Sequence, residues 1–430
     1  MREMIETAEK QERVILFIAA AAGGDADRSL DELESLAETA GAETAGRLVQ
    51  NVDKINPGTY LGRGKIEELA LLVRDTDADG VICDDELTPA QIGNLQDLLD
   101  TKVMDRTMLI LDIFAQRARA REGSIQVELA QLRYRAVRLA GSAGRAMSRL
   151  GGGIGTRGPG EKKLETDRRL IRERISILKR ELEKVKKHRE LSRRQRTDSG
   201  IPVAAIVGYT NTGKSTLLNR LTDADVPGED KLFATLDPVT RTLTLPDGQQ
   251  ILLTDTVGFI RKLPHHLVEA FRSTLEEAKY ADLLIHVADV SSPDLAQQMD
   301  LVYETLSSLG ADDKPVITVF NKIDRLEDFS GLGGFKDPKA DELVFASVRT
   351  GAGEGALLGC IEKILRRRRV LARWVIPYSR AGQISRVRRR GQLIAESYEE
   401  DGIHVSVWLD SAQYQRMLAE NAEYPELQNE

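Results

Sequence analysis

A multidomain α/β architecture is the fold class this sequence predicts, and three observations carry it. At 430 residues the chain is too long for one compact core, so two to four domains are expected. Over residues 1–120 strand-like and helix-like runs alternate, the layout of a small, mainly parallel sheet covered by helices. At 203–221 a buried-strand run leads through a glycine-containing loop into a helix. The expected division is an N-terminal α/β domain (1–120), a basic helical hairpin (121–198) with a glycine-rich tip (150–161), a central domain built around that loop (199–368), and a small C-terminal α+β domain (369–430).

In the first domain, Arg13–Ala20, Ala42–Val52, Gly80–Cys83 and Lys102–Asp105 read as strands. Ser29–Thr39, Gly64–Asp75, Thr88–Leu99 and Arg106–Arg121 read as helices. The run from Gly58 to Lys65 resembles a phosphate loop superficially. It lacks the spacing and a terminal Ser or Thr, so it is read as an RNA- or domain-contacting loop.

The hairpin rests on two heptad seams. Ile125, Leu129, Leu132, Ala136, Leu139 and Ala143 step by 4, 3, 4, 3, 4, and Leu164, Ile171, Ile175, Leu178, Leu182 and Val185 step by 7, 4, 3, 4, 3. Two such helices joined by a short loop pack antiparallel and cover each other's stripe. Six of the eleven residues from Leu150 to Gly160 are glycine, which excludes a helix there. A helix of about 25 residues projects the tip by roughly 35–40 Å. A basic coiled-coil spacer with a flexible linker is the plainer alternative. The tip, however, contains Arg157 and is flanked by Arg145, Arg149, Lys162 and Lys163. Glycines let a backbone lie close to a folded polyanion while arginines neutralise its phosphates, so an RNA-probing arm is favoured.

Charge distribution points the same way. The net charge of −7 alone argues against nucleic acid, yet residues 145–197 carry 18 Lys/Arg against 7 Asp/Glu. No motif for reading duplex DNA grooves is present, so a large RNA is expected. No apolar run of about 18 residues exists, which excludes a transmembrane helix and leaves at most peripheral membrane association. The polar, acidic N-terminus does not read as a signal peptide. Only Cys83 and Cys360 occur, without paired spacing, so reduced thiols and a cytoplasmic location are expected. The five histidines show no metal-ligand spacing, and a monomer is expected.

The loop after Pro202–Val207 reads Gly208-Tyr209-Thr210-Asn211-Thr212-Gly213-Lys214-Ser215 and matches G-x-x-x-x-G-K-[ST]. Its backbone N–H groups are expected to cradle a β-phosphate, Lys214 to reach the β- and γ-phosphates, and Ser215 to bind Mg²⁺. Thr216 opens the following helix, whose N-terminus favours anions. Ile251–Gly258 is a strand ending in D-T-x-G. Asp255 there would hold Mg²⁺ through water, and the Gly258 N–H would meet the γ-phosphate. Val316–Asp324 is a strand ending in N-K-x-D with Asn321, Lys322 and Asp324. A carboxylate at Asp324 can accept from the ring N–H and exocyclic amine of guanine, a donor pair adenine lacks. Ser347 and Val348 stand where a backbone N–H meets the guanine carbonyl. Between the first two motifs, Thr235 in Leu232–Pro238, beside Phe233, is the expected Mg²⁺ ligand and γ-phosphate sensor. Thr240 and Thr242 alternate with Leu243 and Leu245 and read as a strand's outer face. Lys214, Thr235 and Gly258 are thus the expected catalytic set.

These four ordered motifs resemble the translation-factor-like class of P-loop GTPases over roughly residues 200–368, with GTP as substrate. One position departs from the Ras-like pattern: Phe259 stands where a water-orienting glutamine would, so slow intrinsic turnover or help from outside is expected. In GTPases that resemble this loop, the asparagine at the Asn211 position helps hold K⁺, which would stabilise transition-state charge.

Arg366–Arg369 reads as the close of a helix. Beyond it, strands are expected near Trp374–Pro377, Leu393–Tyr398 and His404–Leu409, with a helix from Ser411. Arg386, Arg388, Arg389 and Arg390 form a second basic cluster, for which a solvated turn and RNA contact serve equally well.

Taken together, the run Gly151–Glu161, Gly208–Ser215, Phe233-Ala234-Thr235-Leu236-Asp237-Pro238, Asp255–Phe259 and Asn321–Asp324 closely resembles the HflX family of ribosome-associated GTPases, along essentially the whole chain. The resemblance implies that the tip reaches the catalytic centre of the large ribosomal subunit, and that GTP drives splitting or rescue of stalled ribosomes under stress, with the ribosome stimulating hydrolysis. It also implies ATP binding and RNA remodelling through the N-terminal region, which nothing in residues 1–120 supports independently. Val239, where members often carry threonine, and Val348 are small departures. Two other classes fit the sequence: an RNA-modification or ribosome-assembly GTPase whose arm binds tRNA or precursor particles, and an interaction protein with inert nucleotide.

Overall fold

The computed structural model describes residues 11–21, 25–149, 159–199, 201–222, 232–263, 275–326, 334–367, 369–410, 414–415 and 417. The chain packs as two compact units: Met1–Glu183 with Glu229–Asp237 and Lys262–Arg272, and Lys184–Gly228 with Pro238–Arg261 and Ser273–Glu430.

The first unit holds a four-stranded parallel sheet ordered β2-β1-β3-β4, from β1 (Arg13–Ala20), β2 (Glu43–Asn51), β3 (Gly80–Cys83) and β4 (Lys102–Asp105). Helices α1 (Ala26–Ala40), α2 (Arg63–Thr76), α3 (Pro89–Leu99) and α4 (Arg106–Arg117) connect and follow the strands. β1 is buried along nearly its whole length, as expected of an inner strand covered on both faces. Its Phe17 packs with Leu48, Leu69, Val81 and Leu95 in one core. Helix starts have local causes. Thr88 and Gln91 form a reciprocal capping box ahead of Pro89, and Asp105 accepts from Met108 N–H at 2.9 Å to cap α4. Arg106 is buried against Glu32 and, at 2.7 Å, Asp84, so its charge is compensated inside the unit.

Arg106–Arg121 does not form one helix. α4 stops at Arg117, and α5 (Arg121–Arg149) starts anew. Asp237 lies at the break: its carboxylate accepts from the N–H groups of Arg119 (2.9 Å) and Ala120 (2.7 Å), which lie between the two helices. α6 (Pro159–Ser199) has 41 residues, roughly 60 Å of helix and longer than the seam alone suggests. Links from Arg174 to Glu128 (2.7 Å), Arg121 to Glu181 (3.5 Å) and Arg168 to the Leu139 carbonyl (3.0 Å) run α5 and α6 in opposite directions. Ile125, Leu129 and Leu178 of the seams are buried, and so is Val127, which the heptad reading omits. Residues 150–158 of the tip, and the side chains of Arg145, Arg149, Lys162 and Lys163, lie outside the described residues.

The second unit carries a six-stranded sheet ordered β10-β9-β8-β5-β7-β6. Its strands are β5 (Val203–Val207), β6 (Val239–Thr244), β7 (Gln250–Asp255), β8 (Leu283–Asp289), β9 (Val316–Asn321) and β10 (Glu342–Phe345). All neighbours are parallel except β6 against β7. α7 (Lys214–Thr222), α8 (Leu295–Ser308) and α9 (Glu354–Arg367) belong to this unit, and Leu217, Leu218, Ile361 and Ile364 join Ile206, Ile285 and Ile317 in its core. His286 on β8 is buried beside Tyr303, and burial pushes it down to about 4, a neutral core histidine rather than a ligand.

A second sheet of this unit is antiparallel, ordered β11-β13-β12, from β11 (Arg369–Ile376), β12 (Gln392–Glu399) and β13 (Gly402–Asp410), with α10 (Ile384–Arg390). β11 starts earlier than Trp374, because Arg369 already pairs with Asp410. The arginine run therefore divides, Arg366 and Arg367 ending α9 and Arg369 opening a strand. Most of the segment from Ser411 lies outside the described residues. Among the described residues no helix is long and apolar enough to cross a membrane.

Candidate nucleotide site

The site is built at the carboxyl ends of β5, β7, β8 and β9, where open parallel sheets place their ligands. Leaving β5, the chain turns at Gly208, φ 151°, where an added Cβ would lie 2.3 Å from the Val287 carbonyl. Asn211 adopts a left-handed conformation (φ 59°), and so does Gly213 (φ 97°), where a Cβ would meet Asn321 Nδ2 at 2.5 Å. The loop thus curls as a nest of backbone N–H groups leading into α7.

Lys214 is buried, and its Nζ donates to the Tyr209 carbonyl at 2.5 Å. Burial pushes its amino group down to about 8, with Asp255 opposing the shift and Lys322 adding to it. Such a cation is under-compensated and suited to an incoming phosphate. Ser215 Oγ donates to Asp255 Oδ2 at 2.7 Å, so a hydroxyl and a wholly buried carboxylate converge as hard oxygen donors. The Thr256 hydroxyl donates to the Ile206 carbonyl at 2.7 Å and ties the D-T-x-G segment to β5. Gly258 lies against the loop so closely that a Cβ would meet Lys214 Nζ and Thr210 Cγ2 at 2.9 Å. Phe259 is buried and bridges Tyr209 through its backbone: its N–H donates to Gly208 (3.1 Å) and its carbonyl accepts from Thr210 (2.8 Å).

The N-K-x-D segment buttresses the same loop. Asn321 Nδ2 donates to the Thr212 carbonyl at 2.8 Å, and Asn321 Oδ1 accepts from Val348 N–H at 2.9 Å. Lys322 (φ 65°) donates to the Asn211 carbonyl at 2.7 Å and pairs with Asp289 at 2.7 Å. Asp324 stays exposed, and a hydrogen bond from Ser347 holds its carboxyl below the usual range, so it is an ionised acceptor facing solvent.

The structure therefore gathers Gly208–Ser215, Asp255, Gly258, Asn321, Lys322, Asp324, Ser347 and Val348 within one unit, while Thr216 extends α7 behind them. Phe233 and Thr235 belong to the other unit. There Phe233 packs edge-on against Phe114 at 4.7 Å, Leu232 N–H reaches Thr39 Oγ1, and Thr235 is buried. Sequence reasoning passed over Thr256 and Asp289. An acid ending the apolar run Leu283–Asp289 is the signal that would have found the latter.

A phosphate loop after a central parallel strand, a buried Asp on the neighbouring strand and a buttressing N-K-x-D segment define a P-loop GTPase. Three family models match the chain: GTP-binding GTPase N-terminal over residues 27–115, GTP-binding GTPase Middle Region over 117–196, and 50S ribosome-binding GTPase over 203–322. GTPase HflX of Lacrimispora saccharolytica is 59% identical over 425 residues, 98% of this chain and 99% of that protein. GTPase HflX of Escherichia coli K12 is 47% identical over 324 residues, 75% of this chain and 76% of that protein. Among solved structures, a GTP-binding protein from the archaeon Sulfolobus solfataricus in complex with GDP is 25% identical, with a TM-score of 0.45, covering 83% of this chain and 99% of that one. The chain belongs to the HflX family of GTPases, and it hydrolyses GTP to GDP and phosphate.

Proposed function

We propose that this GTPase is a switch that binds the large ribosomal subunit through its basic helical arm and uses GTP to split or rescue stalled ribosomes under stress. The observation that carries the reading is the joining, in one chain, of this nucleotide site to a long arm in which residues 145–197 hold 18 Lys/Arg against 7 Asp/Glu. The match of residues 203–322 to a model described as a 50S ribosome-binding GTPase supports the same partner. In this reading the glycine-rich tip probes the peptidyl-transferase region, and the protein acts as a monomer in the cytoplasm.

In the site, Lys214 and the loop N–H groups bind and orient the phosphates, and Asp324 selects guanine against adenine. Gly258 presents its N–H to the γ-phosphate, while Thr235 senses that group. Ser215, Asp255 and Thr235 would hold Mg²⁺, which neutralises phosphate charge when bound. Asn211, held in its left-handed turn, would contribute to a K⁺ site. Turnover in K⁺ buffer is expected to exceed turnover in Na⁺ buffer severalfold; equal rates would remove the K⁺ role.

Adding purified large subunits tests the partner. GTP turnover is expected to rise, because Phe259 cannot orient the attacking water and leaves room for outside stimulation. If tRNA or precursor particles stimulate and mature subunits do not, the modification or assembly reading replaces this one.

A further inference from the structure

Asp289 closes β8, and strand register sets it beside Asn321 at the end of β9. Val290 N–H donates to the Asn321 carbonyl at 3.1 Å, so the two strand ends leave the sheet tied together. The two oxygens of the Asp289 carboxylate have different partners. Oδ1 accepts from the Ser291 N–H (3.0 Å) and hydroxyl (2.6 Å), which fixes the direction of the group. Oδ2 meets Lys322 Nζ at 2.7 Å, and the same ammonium donates to the Asn211 carbonyl at 2.7 Å. The Lys322 and Asp289 side chains are only 15% and 14% exposed, so water screens this charge-assisted pair little.

Lys322 also shapes the chain around it. Its backbone is left-handed, φ 65°, a basin that residues with a Cβ rarely adopt. The bend it makes turns the chain from β9 into the 3₁₀ turn Ile323–Arg325, which carries Asp324. Two ties fix that turn. On one side Ile323 N–H donates to the Ala346 carbonyl at 3.3 Å, and Ser347 bonds the Asp324 carboxyl. On the other, the Lys322 ammonium is clamped between Asp289 and Asn211. All of these residues belong to one compact unit.

We infer that Asp289 is a positioning residue for guanine selection: by clamping Lys322 it holds the turn that presents Asp324 to the base. The inference rests on the reading of Asp324 as the group that selects guanine. An acceptor fixed beforehand discriminates fully between ligands, whereas one that must first be ordered gives part of that energy back. Hypoxanthine, the base of IDP, keeps the ring N–H and carbonyl of guanine but lacks its exocyclic amine. The preference for GDP over IDP therefore reads the contact of that amine with Asp324.

The test measures Kd for GDP and for IDP, and kcat for GTP, in the full-length protein. The variants are Asp289→Ala, Asp289→Asn, Lys322→Met, Asp289→Ala combined with Lys322→Met, and Asp324→Ala. In Asp289→Ala the GDP preference is expected to narrow about fivefold, with kcat for GTP within about twofold. Asp289→Asn keeps one oxygen for Lys322 and falls between that variant and wild type. Lys322→Met leaves the Ser291 bonds of Asp289 untouched. It narrows the preference at least as far, and adding Asp289→Ala to it narrows the preference no more. An unchanged preference in Asp289→Ala overturns the inference. So does an equal fall in GDP and IDP affinity, the mark of a merely structural role, or a combined variant in which the two losses add. If Asp289→Ala does not fold, Asp289→Asn and Lys322→Met decide by the same criteria. Asp324→Ala separates the two layers. A GDP preference that survives it refutes the reading of Asp324; one lost there but kept in Asp289→Ala refutes the part of Asp289 alone.

Discussion

Replacing Lys214 by alanine is expected to lower kcat/KM for GTP by about 10³-fold, roughly 4 kcal/mol. The amino group is buried at the mouth of the loop, and burial has pushed it down to about 8, so the free protein bears the cost of an under-compensated cation. Bound phosphate repays that cost, most of all as charge develops on the β–γ bridge. The sign of the stability effect follows. Lys214→Ala removes a charge the free fold disfavours, so the thermal midpoint without nucleotide should hold or rise, while the stabilisation added by GDP or GTP should vanish. Turnover within tenfold of wild type, or a collapse of the nucleotide-free fold, would contradict this account of the loop.

A second large effect is expected at the base. Asp324→Asn replaces a two-oxygen acceptor with one acceptor and one donor. Guanine then faces a donor with its exocyclic amine, and kcat/KM for GTP should fall about 10³-fold. Xanthine presents a carbonyl at that position, so the variant should prefer xanthosine triphosphate to GTP. Asp324 is exposed, and the amide oxygen of asparagine can still accept from Ser347, so its substitution should leave the fold unchanged. The measurement is competitive turnover of the two nucleotides by wild type and variant. Retained preference for GTP would place base recognition elsewhere.

What the sequence made legible and what it did not divide along sequence separation. The phosphate loop, Asp255 with Gly258, and the Asn321–Asp324 segment are each short spacings whose chemistry is local, and the structure brings them to one end of one sheet. β1 and β3 also fall where alternation placed them, because inner parallel strands announce themselves as apolar runs. The break between α4 and α5 was hidden, since the carboxylate that bonds its linking residues, Asp237, arrives from more than a hundred residues away. The docking of Phe233 on Phe114 is hidden in the same way: motif position suggests a nucleotide-side residue, while ring packing places it in the other unit. Arg369 reads as helix by charge continuity and is strand by cross-strand pairing with Asp410. The Lys262 pairs with Asp84 and Asp85 could not be read at all, because an exposed-looking basic residue carries no local mark of its partners.

The most direct test of the central claim, a GTP-driven switch coupled to the ribosome through its arm, is steady-state GTP turnover with and without purified large subunits, repeated with the Gly151–Gly160 tip shortened. The account predicts clear stimulation by subunits in the intact protein and much weaker stimulation in the shortened one, with unstimulated turnover equal in both. Equal stimulation of both proteins, or none of either, would contradict it.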